Sequence, residues 1–165
     1  RSNKEEVFEK DIFDCLPLVE KIQPGQKVLD LGSGGGFPGI ILAILKPDCE
    51  IHLLEKSQKK CYFLNKTKDK LKLKNVRVLK TKINEKNQLE QYNVITARAF
   101  SSTKNILDLT KTNLKKNGKY LLLKGRIEKI EEEMSAINKN NYKYEIIKLE
   151  NEKYERHLVK IKKNE

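Results

Sequence analysis

The chain has 165 residues, 38% of them hydrophobic, which suits one compact domain rather than two. No apolar run reaches 18 residues and the first residues are charged and mixed, so neither a membrane-spanning helix nor a signal peptide is expected. The net charge of +12 attracts polyanions and speeds their encounter, although a Lys- and Asn-rich composition also produces such a charge without an RNA partner.

Apolar residues at Phe8, Ile12, Leu16 and Val19 predict an amphipathic helix over 5–22, kinked or ended by Pro17. Pro24-Gly25 reads as a turn, followed by an apolar strand at 27–31 and a helix at 38–45. Pro47-Asp48 leads into a second strand, "EIHLLE", at 50–55. Ser57 suits a helix cap, and the helix runs to about Leu71 with Cys61, Leu64 and Leu71 on one face. Strands are expected at 75–80 and 92–98, and a helix at 106–114. Asn117-Gly118 turns into a fifth strand, "KYLLLKG", before a helix at 128–137. "YKYEIIKLE" and "RHLVKIK" predict a closing antiparallel pair. Alternating strands and helices imply an α/β protein with a mostly parallel sheet and helices on both faces. Cys15, Cys49 and Cys61 are too widely spaced for a zinc site or disulfide framework, so free thiols and no metal are expected.

The stretch "KVLDLGSGGGFPGIILAIL" carries the chemistry. Ligands of open α/β sheets sit beyond the carboxyl ends of the strands, at the first strand-to-helix turn. Gly32, Gly34, Gly35 and Gly36 occupy that turn, and four glycines in five positions exceed the needs of a tight turn. Gly34, Gly36 and Gly39 formally match a dinucleotide fingerprint. Pro38 removes an N–H where a pyrophosphate needs one, and Asp30 repels it. S-adenosylmethionine has no phosphate, and its sulfonium and ammonium favour a carboxylate at Asp30. Glu55, at the end of the second strand, can accept both ribose hydroxyls. The residues therefore favour S-adenosylmethionine, with a dinucleotide oxidoreductase as the rival.

The acceptor is narrowed by what is missing. The loop after the fourth strand reads Thr96-Ala97-Arg98-Ala99 and lacks the Asn/Asp-Pro-Pro-aromatic pattern that methylation of an exocyclic amine requires. No cysteine sits in a plausible loop for attack on a pyrimidine carbon. A ring nitrogen with a free lone pair, such as guanine N7, needs no base, and its edge offers acceptors to Arg or Lys.

"DLGSGGGFPGIILAI" resembles the small-subunit rRNA guanine-N7 methyltransferases, the RsmG or GidB family. "DIFDCL", "KKCYFL", "YNVITARAF", "LLLKG" and "ERHLVKIK" extend the likeness in order along almost the whole chain. The resemblance implies a Rossmann-like, seven-stranded methyltransferase sheet as a single domain over 1–165. It also implies methylation of guanine N7 in the decoding-region loop of 16S rRNA, in the cytoplasm. The partner would be small-subunit rRNA or the small ribosomal subunit, with no membrane involved, and nothing demands more than a monomer.

Asp30, Gly32, Gly34, Gly36, Phe37, Glu55, Ile83, Asn84 and Arg98 would hold the cofactor, the adenine end meeting Ile83 and Asn84. Arg98, with Lys124, would position guanine. Lys59, Lys60, Lys124, Arg126 and Arg156 would contact phosphates. Asp11 stands where the family often has His, Glu55 where Asp is commoner, and Asn84 where Glu is common. Family members usually carry more helix at the N-terminus, so a shortened N-terminal helical part is expected here, a departure that bears on RNA docking more than on cofactor binding. A non-catalytic S-adenosylmethionine- and RNA-binding module, or an enzyme acting on a different RNA guanine, are the alternatives.

Overall fold

The computed structural model describes residues 4–151 and 153–165; Arg1 and Ser2 lie outside the described residues. Twelve elements alternate: α1 (Lys4–Val19), β1 (Lys27–Leu31), α2 (Gly39–Leu45), β2 (Glu50–Glu55), α3 (Gln58–Lys70), β3 (Val76–Lys80), β4 (Tyr92–Arg98), α4 (Thr103–Thr110), β5 (Leu114–Lys124), α5 (Ile127–Ser135), β6 (Tyr142–Lys148) and β7 (His157–Lys163). The strands form a seven-stranded sheet in the order β3-β2-β1-β4-β5-β7-β6. β1 through β5 pair in parallel, and β7 is antiparallel to both β5 and β6.

The sheet buries both faces, so its central strands read as apolar runs rather than as alternation. Leu29, Ile95, Tyr120 and Leu122 face Ile106, Ile130 and Met134 of α4 and α5. Val28, Leu53, Leu121 and Leu158 face Leu18, Ile40, Leu42 and Leu64 of α1, α2 and α3. Strand order reverses between β1 and β4, which lie on either side of the point where β2 and β5 diverge. That is the switch point where a ligand crevice opens.

Five expectations need correction. The inner face of α1 is formed by Cys15 and Leu18, while Phe8 and Leu16 stand exposed. Pro17 sits inside the last turn of α1 without ending it, and the helix stops two residues later. Leu71 is also exposed, so only Cys61 and Leu64 anchor α3. The fourth helix starts earlier than expected because Ser102 caps it, its side chain accepting from the Asn105 N–H. Leu114 belongs to β5 and pairs with Tyr92, and Asn117-Gly118 lies within that strand as an irregularity. Asn117 adopts a φ of 65° there, a left-handed conformation that Asn tolerates better than most residues.

Candidate active site

The turn between β1 and α2 is built around one buried carboxylate. Asp30 has no exposed surface. Its Oδ2 accepts from the Gly39 N–H at 3.1 Å, and its Oδ1 is buried without a donor. Burial pushes its pKa up from 3.8 to about 7; the Ser33 and Gly39 bonds oppose the rise and the Glu55 charge adds to it. The first helical N–H of α2 is thus already committed to a carboxylate. A pyrophosphate would find that donor taken and a negative charge behind it.

Glu55 ties the turn to the next loop. Its Oε2 accepts from the Gly34 N–H at 3.0 Å and its Oε1 from the Ser57 N–H at 2.9 Å. Each carboxylate oxygen keeps a further lone pair for a ligand hydroxyl. Gly32 adopts a φ of +65°, and a Cβ there would lie 2.5 Å from the Phe100 ring. Gly36 makes the tight turn into α2: a Cβ would meet Ile40 at 2.7 Å, and its carbonyl accepts from the Ile40 N–H.

Two clefts open beside this turn. The first, with room of 490 Å³, is lined by Gly32, Glu55, Lys60, Ile83, Phe100 and Leu109 among others. The second, with room of 510 Å³, is lined by Asp14, Arg98, Lys124, Glu133 and Arg156. Residues 99–101 line both, so the loop after β4 is their shared wall. Ala99 holds a φ of 51° in that loop, a strained conformation for a residue with a Cβ.

Every cation of the second cleft has a carboxylate partner. Arg98 pairs with Asp11. Arg156 lies 3.3 Å from Asp14, and Lys124 lies 2.8 Å from Glu133. Glu133 also accepts from both the N–H and the hydroxyl of Thr103. Burial pushes its carboxyl up, but the Lys124 and Thr103 bonds prevail and hold it below the usual range. Alternating donors and carboxylates can meet a flat ligand that carries acceptors on one edge and N–H donors on the next, as guanine does. Cys15 neighbours this cluster, but burial raises its thiol to about 12, which removes it as a nucleophile. Among the described residues no group of three or more His, Cys, Asp or Glu side chains could hold a metal.

The expected site residues divide accordingly. Gly32, Glu55, Lys60 and Ile83 line the first cleft, and Arg98, Lys124 and Arg156 the second. Asp30 and Gly34 stand behind the first cleft, hydrogen-bonded into its wall. Phe37 lies apart, packed edge-on against Phe8 of α1 at 5.8 Å. Asn84 follows Ile83 but is exposed, its side chain accepting from the Lys86 N–H. Lys59 and Arg126 are exposed outside both clefts. Sequence reasoning passed over Phe100, Asp14 and Glu133. Phe100 stands two residues after β4, next to the strand bearing the glycine turn, and that position alone was a usable signal. Asp14 lies in "DIFDCL", but nothing local set it beside Arg156, and Glu133 carried no signal, because helices distant in sequence bring both in.

The reversed sheet order, the glycine turn and the carboxylates ending β1 and β2 define a Rossmann-like α/β protein of the methyltransferase class. A solved structure of an S-adenosylmethionine-dependent methyltransferase from Aquifex aeolicus shares the fold, with a TM-score of 0.72 at 16% identity, covering 98% of this chain and 99% of its own. The family model for rRNA small subunit methyltransferase G (GidB) matches residues 1–159, and the chain belongs to that family. A ribosomal RNA small subunit methyltransferase G from Brachyspira hyodysenteriae is 42% identical over 141 residues, 84% of this chain and 68% of its own length. One from Bdellovibrio bacteriovorus is 43% identical over 136 residues, 82% of this chain and 64% of its own. The chain therefore spans about two thirds of the length of these relatives. Among the described residues no helix is long and apolar enough to cross a membrane.

Proposed function

We propose that this chain is a single methyltransferase domain, spanning 1–165, that transfers a methyl group from S-adenosylmethionine to guanine N7 in the decoding-region loop of 16S rRNA. The observation that carries the reading is the pair of clefts sharing one wall. One is bordered by the carboxylate-bearing glycine turn, the other by alternating cations and carboxylates. The fit to the cofactor rests on the Asp30 carboxylate, buried behind the turn with Oδ1 lacking a donor, whose charge would favour a cationic ligand in the cleft in front of it. Glu55 would accept the ribose hydroxyls and Ile83 would flank the adenine, with Lys60 at the cleft edge. Asp30, Gly34 and Gly36 would shape the turn from behind, and Phe37 would brace it against α1.

Bound S-adenosylmethionine supplies a methyl carbon already activated by a sulfonium. The protein's task is then alignment. Arg98, clamped by Asp11, would hold the acceptor oxygen of guanine, with Lys124 beside it. Transfer to the N7 lone pair, with the C–S bond breaking as the C–N bond forms, would leave the base cationic and no proton to move, so these residues would need to align and bind rather than act as a general base. Nearby carboxylates at Asp14 and Glu133 favour that cationic product. Lys59, Lys60 and Arg126 would meet phosphates around the target, while Arg156, paired with Asp14, would border the base. In this reading the chain works as a monomer in the cytoplasm on small-subunit rRNA or the small ribosomal subunit.

The test is incubation with labelled S-adenosylmethionine and small subunits lacking the modification, followed by borohydride and aniline cleavage at 7-methylguanine. One cut in the decoding-region loop is the expected result. Label without a cut refutes N7 as the acceptor, and a cut elsewhere points to another RNA guanine. S-adenosylhomocysteine binding with no label at all favours a non-catalytic module.

A further inference from the structure

One face of the sheet, away from both clefts, carries charge that the fold does not use. β5, β7 and β6 are neighbours joined by antiparallel pairing. Tyr120 pairs with Ile161, and the next step of that register sets Lys119 opposite Lys162. Lys162 in turn pairs with Lys143 of β6. Three lysines thus form one row across three strands, on the face where Leu121, Leu123 and Leu158 pack beneath α1. Like charges placed directly opposite destabilise a sheet. Among the described residues, none of the three has an ion-pair partner, whereas Lys160 in the next row has Glu145 at 3.6 Å. Burial pushes the Lys119 ammonium below its usual pKa, and Lys162, Lys160 and Lys21 push it further.

The row does not end at the strand edge. Lys143 and Lys162 continue into a groove of 640 Å³ lined also by Lys115, Lys116 and Lys163, with Glu165 its single carboxylate among the described residues. Charges spaced about 4.8 Å apart across the strands, then extended by a groove, make a stripe rather than a pocket. A stripe suits a chain of anions better than one small anion. Lys119 lies five residues before Lys124 on β5, about 17 Å away along the strand and on its opposite face.

We propose that the Lys119–Lys162–Lys143 row, with its groove, binds backbone phosphates of the RNA whose target base enters the second cleft. The identity of the polyanion rests on the rRNA reading above; the row itself does not. Phosphates would relieve a repulsion that the free chain tolerates, so the site costs stability when empty and gains affinity when filled.

The experiment measures binding to deproteinised small-subunit rRNA between 50 and 200 mM salt, together with thermal unfolding. The triple variant Lys119→Gln, Lys143→Gln, Lys162→Gln should reduce the slope of log affinity against log salt by about 2, at about 0.7 per phosphate. Its unfolding temperature should stay the same or rise, because repulsion has been removed. Lys70→Gln, Lys72→Gln, Lys74→Gln removes equal charge from exposed positions near the end of α3 and should change the slope by less than half as much. Equal losses in the two triples would reduce the row to diffuse charge and overturn the proposal. So would an unchanged slope, or no rRNA binding by the unaltered chain. Weaker binding to intact small subunits with unchanged binding to bare rRNA would indicate a protein contact and also overturn it. Because the readout is binding, a chain that binds RNA through the row but transfers no methyl group would sink the functional reading and leave the row standing.

Discussion

Asp30 is the sharpest point of attack, because its burial gives a signed pH dependence. Its pKa is about 7 in the folded chain against 3.8 for the free side chain. The folded state therefore binds more protons than the unfolded state between these values, and stability must fall as pH rises through that window. At 1.36 kcal/mol per pKa unit the full effect is about 4 kcal/mol, of which about 3 kcal/mol falls between pH 5 and pH 8. For a chain of this size that corresponds to about 8 °C in unfolding temperature. Asp30→Asn has no such titration. The difference in unfolding temperature, variant minus parent, should therefore grow by about 8 °C from pH 5 to pH 8. Cofactor binding should show the opposite sign, since a cationic ligand needs the ionised carboxylate. S-adenosylmethionine, whose sulfonium supplies the cation, should bind the parent about tenfold more tightly at pH 8 than at pH 6 by the same linkage, with protons released, and the variant weakly with no such slope. Calorimetric titration in buffers of different ionisation enthalpy reads both affinity and proton release. A parent affinity that does not change with pH, or a variant that keeps the slope, would refute the assignment of Asp30.

Two further substitutions separate the turn from the acceptor cleft. Gly32→Ala must place a Cβ at a φ of +65° and 2.5 Å from Phe100, whereas Gly25→Ala meets only a φ of +75° with nothing within 4 Å. Both should lose about 1 kcal/mol or more to backbone strain in denaturant unfolding. Only Gly32→Ala should also weaken S-adenosylhomocysteine binding, by tenfold or more, because Phe100 must shift in the wall of the cleft. Equal affinities in the two variants would refute the close approach. Arg98→Gln should lower the rate of transfer about a hundredfold, in line with loss of a charge-stabilising group. Its affinity for S-adenosylhomocysteine should stay within threefold of the parent. Parallel losses in rate and affinity would move Arg98 from the acceptor to the cofactor.

How far the fold could be read ahead depended on which signal each segment carried. β1, β2 and β4 end where their apolar runs end, at Leu31, Glu55 and Arg98, because a strand buried on both faces writes its length directly into the sequence. α1 misled because Phe8 and Leu16 keep the helical apolar spacing yet stand exposed, while Cys15 and Leu18 are the residues it buries, so the apolar pattern pointed to the wrong face. α4 misled because its start is set by the Ser102 cap rather than by an apolar residue. The strand character of Leu114 comes from its partner Tyr92, 22 positions away, which no local window contains.

The site divides along the same line. The side proposed for the cofactor is local: Asp30 and the glycine turn lie within ten residues, and Glu55 reaches Gly34 across a single crossover. The acceptor side is assembled from α1, β4, β5, α5 and the start of β7, and its chemistry is pairwise. A net charge of +12 pointed to RNA but not to where the charge acts. In the acceptor cleft Arg98, Lys124 and Arg156 are each matched by a carboxylate, so little net charge is left to pull on a phosphate. Those pairs instead fix the positions of donors and acceptors, as recognition of one base requires. The unmatched lysines stand elsewhere, on α3 and on the far rows of β5, β6 and β7. On the proposed reading, attraction of the polyanion and reading of the base would be carried by different surfaces of the same sheet.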